Sequence, residues 1–394
     1  MAKIHSQRLN AIIRITRICS DICGVDVFDE NYRVNFRTVL LFILLCVSFL
    51  LLTFTMIDGY VKEGDWTILV QVISLAGGTL LQGLCVSISF IVKQDKYRFL
   101  LSECNDIYET YERLHSDYRV HLNRGLKLLA NLMKICAFIN LMLVLGMSSI
   151  TVLYNFIFDA HEAIVYGFAP GVDVETTHGL WITNGVQASF ITVGGFGLYA
   201  ADMAMLTPIS QISTFKGILQ CKFREINQIL DDDDYESELE RKQDTMAALK
   251  DIIKFHQKYL IFLNVSRDVC YWNVFAKITT SFVAIVCALF CILLGTWPAG
   301  YIYLAYCFVM MQVFCAMGTL VDITNEEFIQ SCYNDVRWYE LSVKEKKMLC
   351  IMLMVAQNTT GLTIGSVMEL SMNTGLQISK TIYSLTMLLL NFIE

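Results

Sequence analysis

Lysine and arginine fall almost entirely into alternate gaps between the apolar stretches of this chain. Seven such stretches occupy 37–57, 67–92, 126–154, 180–207, 271–295, 300–322 and about 373–392. Most reach the length a helix needs, at ~1.5 Å per residue, to cross a hydrocarbon core of ~30 Å. They leave eight flanks, and one alternating set of four holds 26 basic residues. Six lie between Lys3 and Arg37, seven between Lys93 and Lys127, nine between Lys216 and Arg267, and four between Arg337 and Lys347. The other set holds Lys62 alone. Basic loops stay cytoplasmic, so the asymmetry predicts a cytoplasmic N-terminus and an external C-terminus. The fold class that follows is an all-α membrane protein of seven transmembrane helices, with helical cytoplasmic extensions.

Composition narrows the function. At 55% hydrophobic and 17% charged, with mean hydropathy +0.51, the chain is polytopic, and no alternating ten-residue pattern suggests a barrel. Residues 1–36 are polar and basic, with no cleavable signal, so the first span is expected to start insertion itself. The net charge of −7 gives no sign of nucleic-acid binding. Of 14 cysteines, none lies in the external loops 58–66, 155–179 and 296–299, which leaves no disulfide scaffold on the oxidising side. Cys19/Cys23 and Cys287/Cys291 are four apart, but no His or carboxylate completes a metal set. They read as small buried apolar residues, and no cofactor is implied. The sequons at Asn264 and Asn358 fall on the predicted cytoplasmic side and should stay unmodified. The six histidines are scattered over flanks and loops, His161 and His178 near the outer side, with no catalytic cluster.

Prolines occur only at 170, 208 and 298. Two lie in external loops, and Pro208 is expected to end the fourth span. The internal loops are themselves helical. Phe215, Leu219, Phe223, Ile226 and Leu230 recur at spacings of three and four, as do Leu249, Ile252, Phe255, Tyr259 and Phe262. An acidic linker, Asp231–Glu240, joins the two as a hairpin. After the sixth span, Ser342 is a possible N-cap, and the run Met348–Ala356 is too short to span and fits a buried helix. No internal repeat supports a transporter plan. The chain divides into spans one to four (1–207), a cytoplasmic hairpin (208–270), spans five and six (271–322), cytoplasmic anchor helices (323–360) and the last helix (361–394).

The last span is not uniformly apolar. Glu369, Asn373, Gln377, Thr381, Leu385 and Leu389 follow at steps of four, with Ser366, Lys380 and Ser384 nearby. Polar groups at membrane depth are costly unless they face water or one another. Such a helix either packs against its own bundle or walls a water-filled path closed near the outside by leucines. Steps of four drift by ~40° each on an ideal helix, so periodicity leaves open whether Leu385 and Leu389 or Leu388 point inward. One helix cannot enclose a pore, so a conduit would need several subunits about an axis.

These residues resemble those of insect odorant receptors over essentially the whole chain. The likeness is strongest in VKQDKYR from Val92 to Arg98, in the Trp338-Tyr339 helix, and in the tail Gly361–Leu390 with TIYSLTMLL from Thr381. The chain departs from the family's co-receptor, which has a longer fourth internal segment and a valine-rich tail, so it resembles an odorant-tuning subunit. The resemblance implies a non-selective cation channel gated by a small volatile odorant. It also implies a heterotetramer with co-receptor subunits, in the plasma membrane of sensory neurons. Partners are then the odorant, the co-receptor, permeating cations and the lipid bilayer. The last helix would line the pore through Gln377, Thr381, Ser384, Leu385, Leu388 and Leu389, with the gate at Leu385 and Leu389. The co-receptor's glutamine in that turn falls on Leu388. Trp338 and Tyr339 fall in the anchor between subunits.

The family's odorant pocket lies in the outer half of the bundle. Mapped onto this chain, it selects Gln71, Ser74, Leu75 and Gly78 on the second span. It selects Met147, Ile150, Thr151 and Tyr154 on the third, Gln187, Phe190 and Ile191 on the fourth, and Tyr303 and Tyr306 on the sixth. Apolar walls and aromatic rings with a few hydroxyls or amides suit a small volatile. A gustatory-type channel is the nearer alternative. A G-protein-coupled receptor would need an external N-terminus, an Asp/Glu-Arg-Tyr end to the third span and Asn-Pro-x-x-Tyr in the seventh, and none is present.

Overall fold

Long apolar runs between good caps fold here as long single helices. The computed structural model describes residues 4–25, 32–64, 66–159, 162–165, 172, 176–232 and 237–391. Lys3, His161, Pro170 and the linker residues 233–236 lie outside them. The helices are α1 (Ile4–Ile22), α2 (Phe36–Glu63), α3 (Trp66–Leu75), a π-helical turn (Ala76–Leu80), α4 (Leu81–Val92), α5 (Gln94–Tyr111) and α6 (Ser116–Phe158). After them come α7 (Thr177–Asp231), α8 (Glu238–Leu293), α9 (Gly300–Asn334), α10 (Val343–Gln357), a hairpin of β1 (Thr363–Ile364) and β2 (Met368–Glu369), and α11 (Met372–Asn391).

Caps explain several boundaries. The Asn35 side chain accepts from the Thr38 amide while the Thr38 hydroxyl closes the reciprocal bond, which starts α2. Thr176 and Ser237 cap α7 and α8, and Glu238 and Glu240 favour the α8 N-terminus through the helix dipole. The expected cap at Ser342 forms a full capping box with Glu345 and starts α10.

Six helices among the described residues are long and apolar enough to cross a membrane. These are α2, α3–α4, α6, α7, α8 and α9. The 20-residue α11 is not among them, because its polar positions lower its hydropathy. The helix α7 forms the hub, packing on α1, α6, α8 and α9, and α11 lies against α8 and α9.

Three expectations are corrected. Pro208 does not end the fourth span: α7 runs through it to Asp231. An interior proline costs a helix ~3 kcal/mol, but every residue from 198 to 212 is buried, and packing on all sides holds the axis. The division between 207 and 208 therefore falls inside one helix. Glu369 is not on the last helix but in β2, since the chain turns at Gly365 (φ 55) and re-enters a helix only at Met372. Trp338 and Tyr339 lie not in a helix but in the turn between α9 and α10. The short α10 is buried on one face only. Leu349, Met352 and Ala356 face the core, while Ile351 and Met354 are exposed.

Candidate functional site

One end of the bundle is roofed by a short segment, 162–165, pinned by side chains. The Ile164 amide donates to Asn184 Oδ1 at 3.0 Å, and the Val165 amide donates to Gln187 Oε1 at 2.9 Å. Gln187 Nε2 donates back to the Val165 carbonyl at 2.8 Å, and Trp297 Nε1 donates to the Ile164 carbonyl at 2.9 Å. Burial pushes the neighbouring Glu162 carboxyl up from its ordinary value. A buried amide that satisfies a buried backbone pair is a stable clamp, because leaving either group unpaired would cost ~1–3 kcal/mol.

Beneath the roof lies a cavity of about 190 Å³, bounded by α2, α3–α4, α6 and α7 and by Tyr303 of α9. A water needs only ~10–15 Å³ of such space, so the cavity has room for a small organic molecule. Six of the residues expected to meet ligand line it: Leu75, Met147, Gln187, Phe190, Ile191 and Tyr303. The remaining seven lie off its wall. Ser74 donates to the Ala284 carbonyl at 3.0 Å, and its own carbonyl accepts from the Tyr303 hydroxyl at 2.9 Å. Gly78 sits under that hydroxyl, where a Cβ would collide with it. Thr151 donates to the Met147 carbonyl at 3.0 Å, Tyr154 packs on Phe158 with centroids 4.8 Å apart, and Gln71 is buried. Ile150 is half-buried on α6. Tyr306 is buried one turn below Tyr303, under the Lys277 ammonium at 5.6 Å from its ring.

Sequence reasoning missed the inner part of the wall. It is built by Ser20 of α1 and Cys23 just after it, by Leu41, Leu45, Ser48 and Leu52 on one face of α2, and by Val86 and Phe90 of α4. Two signals were available. The α2 positions recur at steps of four, three and four, and Gly194, Gly195 and Gly197 cluster on α7 where side chains would otherwise fill the space. The π-helical turn adjoins the cavity and presents Thr79 and Leu80 to it.

A second candidate site is the free face of α11. Asn373, Gln377, Thr381, Ser384 and Leu388 are all exposed, while Leu385 and Leu389 are half-buried against the core. Next to this polar stripe runs an exposed apolar one of Met372, Leu376, Tyr383 and Met387. The opposite face, with Thr374, Gly375, Ile382 and Thr386, is buried. Trp338 and Tyr339 are exposed too, their rings at 80° to each other and Trp338 also against Tyr333. Among the described residues no cluster of His, Cys, Asp and Glu could hold a metal ion.

The chain matches the family described as 7tm Odorant receptor over residues 77–383. It is 25% identical to "Putative odorant receptor 83c" of Drosophila melanogaster over 396 residues, covering 98% of each chain. Its fold is similar to that of the insect olfactory receptor OR5 from Machilis hrabei in complex with eugenol, with a TM-score of 0.77, 14% identity and 100% of both chains covered. A second structure of that receptor gives 0.73, 15% and 99% of both. At such identities the structural likeness shows a common fold.

Proposed function

The chain belongs to the insect odorant receptor family, a family of multi-pass membrane receptors and not of enzymes, and on that premise we propose that it is an odorant-gated cation channel subunit. The single observation that supports conduction most strongly is the free face of α11. Amides and hydroxyls at Asn373, Gln377, Thr381 and Ser384 point away from the protomer instead of into it. In lipid such a stripe is costly, and about a shared axis it becomes the wall of an aqueous path. The partners that complete the ring are co-receptor subunits, held through the Trp338–Tyr339 turn and the inner helical extensions. The N-terminus is cytoplasmic, the C-terminus external, and the site of action is the plasma membrane of sensory neurons.

The ligand is a small volatile in the cavity under the 162–165 roof. OR5 of Machilis hrabei, whose fold is similar, was solved in complex with eugenol, itself a small volatile. Ligand must favour the conducting arrangement over the closed one, or it shifts nothing. The route from cavity to pore runs from Tyr303 along α9 to α11, which packs against α9. Expression with and without a co-receptor, under a panel of volatiles, tests this reading. Odour-evoked cation current that requires the co-receptor, with permeability altered by Gln377→Ala or Thr381→Ala, is expected. Current-free responses, or permeability blind to both substitutions, would overturn it.

A further inference from the structure

The cavity is lined along about four turns of α7 and of α3–α4, and one lining hydroxyl has no hydrogen bond among the described residues. Along α7 it is lined from Gln187 to Ala201, and along α3–α4 from Leu75 to Phe90. Fourteen or fifteen helical steps at ~1.5 Å each put its two ends ~21 Å apart. The lining thus runs along about four helical turns and is almost wholly apolar, which suits an extended aliphatic chain.

The chemistry of the wall is equally selective. Ser20 donates to the Val25 carbonyl at 2.6 Å, Ser48 to Leu44 at 2.8 Å and Thr79 to Leu75 at 3.1 Å. Gln187 and Tyr303 are committed to Val165 and Ser74. Ser87, near the inner end, is the lining hydroxyl left without a hydrogen bond among the described residues. Gly194 opens the passage further, because a Cβ there would meet nothing within 4 Å.

We infer that this cavity takes an elongated aliphatic molecule carrying one acceptor oxygen, which Ser87 binds at the inner end while the chain runs outward to Tyr303. The inference rests on the reading of the cavity as the ligand site. It assigns that site a ligand class and an orientation. Compact rings would fill the outer end and leave the inner half dry and unused.

The test uses the full chain purified in lipid nanodiscs and measures binding of straight-chain alcohols of graded length, with alkanes of matching length as controls. Affinity should rise about fourfold per added methylene until the passage is full, the value expected for burying one CH₂, and then fall. Gly194→Phe, at a position where an added Cβ meets nothing within 4 Å, should weaken long-chain binding about tenfold and spare short chains. Ser87→Ala should weaken the alcohols and leave the alkanes unchanged. Affinity indifferent to length would overturn the inference, as would variants that affect short and long chains alike. A co-purified phospholipid acyl chain that long alcohols cannot displace would also overturn it. Because binding is read without current, a chain that binds these alcohols but never conducts would refute the channel reading and leave this one standing.

Discussion

Asp202 and Lys277 have side chains 0% and 1% exposed, and they meet at 3.0 Å where α7 and α8 cross. Lys277 Nζ also lies 5.6 Å from the Tyr306 ring and 5.8 Å from that of Phe314, so its charge is met by a carboxylate and two π faces. Asp202 Oδ1 and the Tyr306 hydroxyl are buried without hydrogen-bond partners among the described residues. A pair of this kind adds little net stability relative to apolar side chains, yet removing one partner strands the other. Lys277→Met should therefore lower the stability of the folded protein by roughly 3–5 kcal/mol, read as a fall in melting temperature and yield in detergent. The double change Asp202→Asn with Lys277→Met should recover most of it. Equal losses for the single and double variants would show that the pair is not coupled. Tyr303 offers a milder check, since its hydroxyl bonds the Ser74 carbonyl over Gly78. Tyr303→Phe should cost about 1 kcal/mol, and Gly78→Val considerably more, because the added side chain collides with the tyrosine. Thermal melts of the two variants would rank them.

At the scale of single helices, the proposed pore wall on α11 is where conduction can be tested. Its exposed polar stripe ends at Leu388, while Leu385 and Leu389 turn partly into the protomer. Leu388→Ser should therefore raise current without ligand several-fold at unchanged surface level. Leu385→Ser should act mainly by lowering surface level, because it opens a polar hole against the core. Whole-cell recording beside surface biotinylation separates the two, and a silent Leu388→Ser would move the constriction elsewhere. The sequence could not choose among these leucines because steps of four drift around the helix, and only contacts with α8 and α9 fix its rotation. Much else was legible. The apolar runs, the N-cap at Ser342 and the helical inner extensions follow from local chemistry, which the fold obeys. Pro208 and Glu369 were misplaced for the same reason: tertiary packing overrode a helix breaker in one case, and a glycine turn interrupted a smooth periodicity in the other. For the cavity, the family resemblance pointed to the aromatic end at Tyr303 and Gln187. For the inner half the α2 periodicity and the α7 glycines were the only signals, because the walls of α1 and α2 are brought there by the folded bundle.

Over the whole molecule, the exposed apolar residues away from the spans are not evenly spread. Trp338, Tyr339 and Tyr333 gather at the turn after α9, and Ile351, Met354 and Val355 line the outer face of α10. This end of the molecule is otherwise well satisfied: Arg337 pairs with Asp231, Lys216 with Glu327, and the Arg337 amide with Asn227. A soluble surface rarely leaves so many large apolar side chains together unless something covers them. Aromatic anchors at the centre of such a patch commonly carry most of the association energy. Together with the free face of α11, this places two uncovered surfaces on one protomer, as a ring of subunits requires. Trp338→Ala combined with Ile351→Ser and Met354→Ser should thus leave the lone subunit folded while reducing its co-purification with a co-receptor. Each substitution removes surface that lies open in the protomer, so its own melting temperature should move by only a few degrees. Odour-evoked current should fall with assembly and not with expression. Normal co-purification of the triple variant would mean that subunits meet through α11 and the spans instead, with the α10 face turned to some other partner.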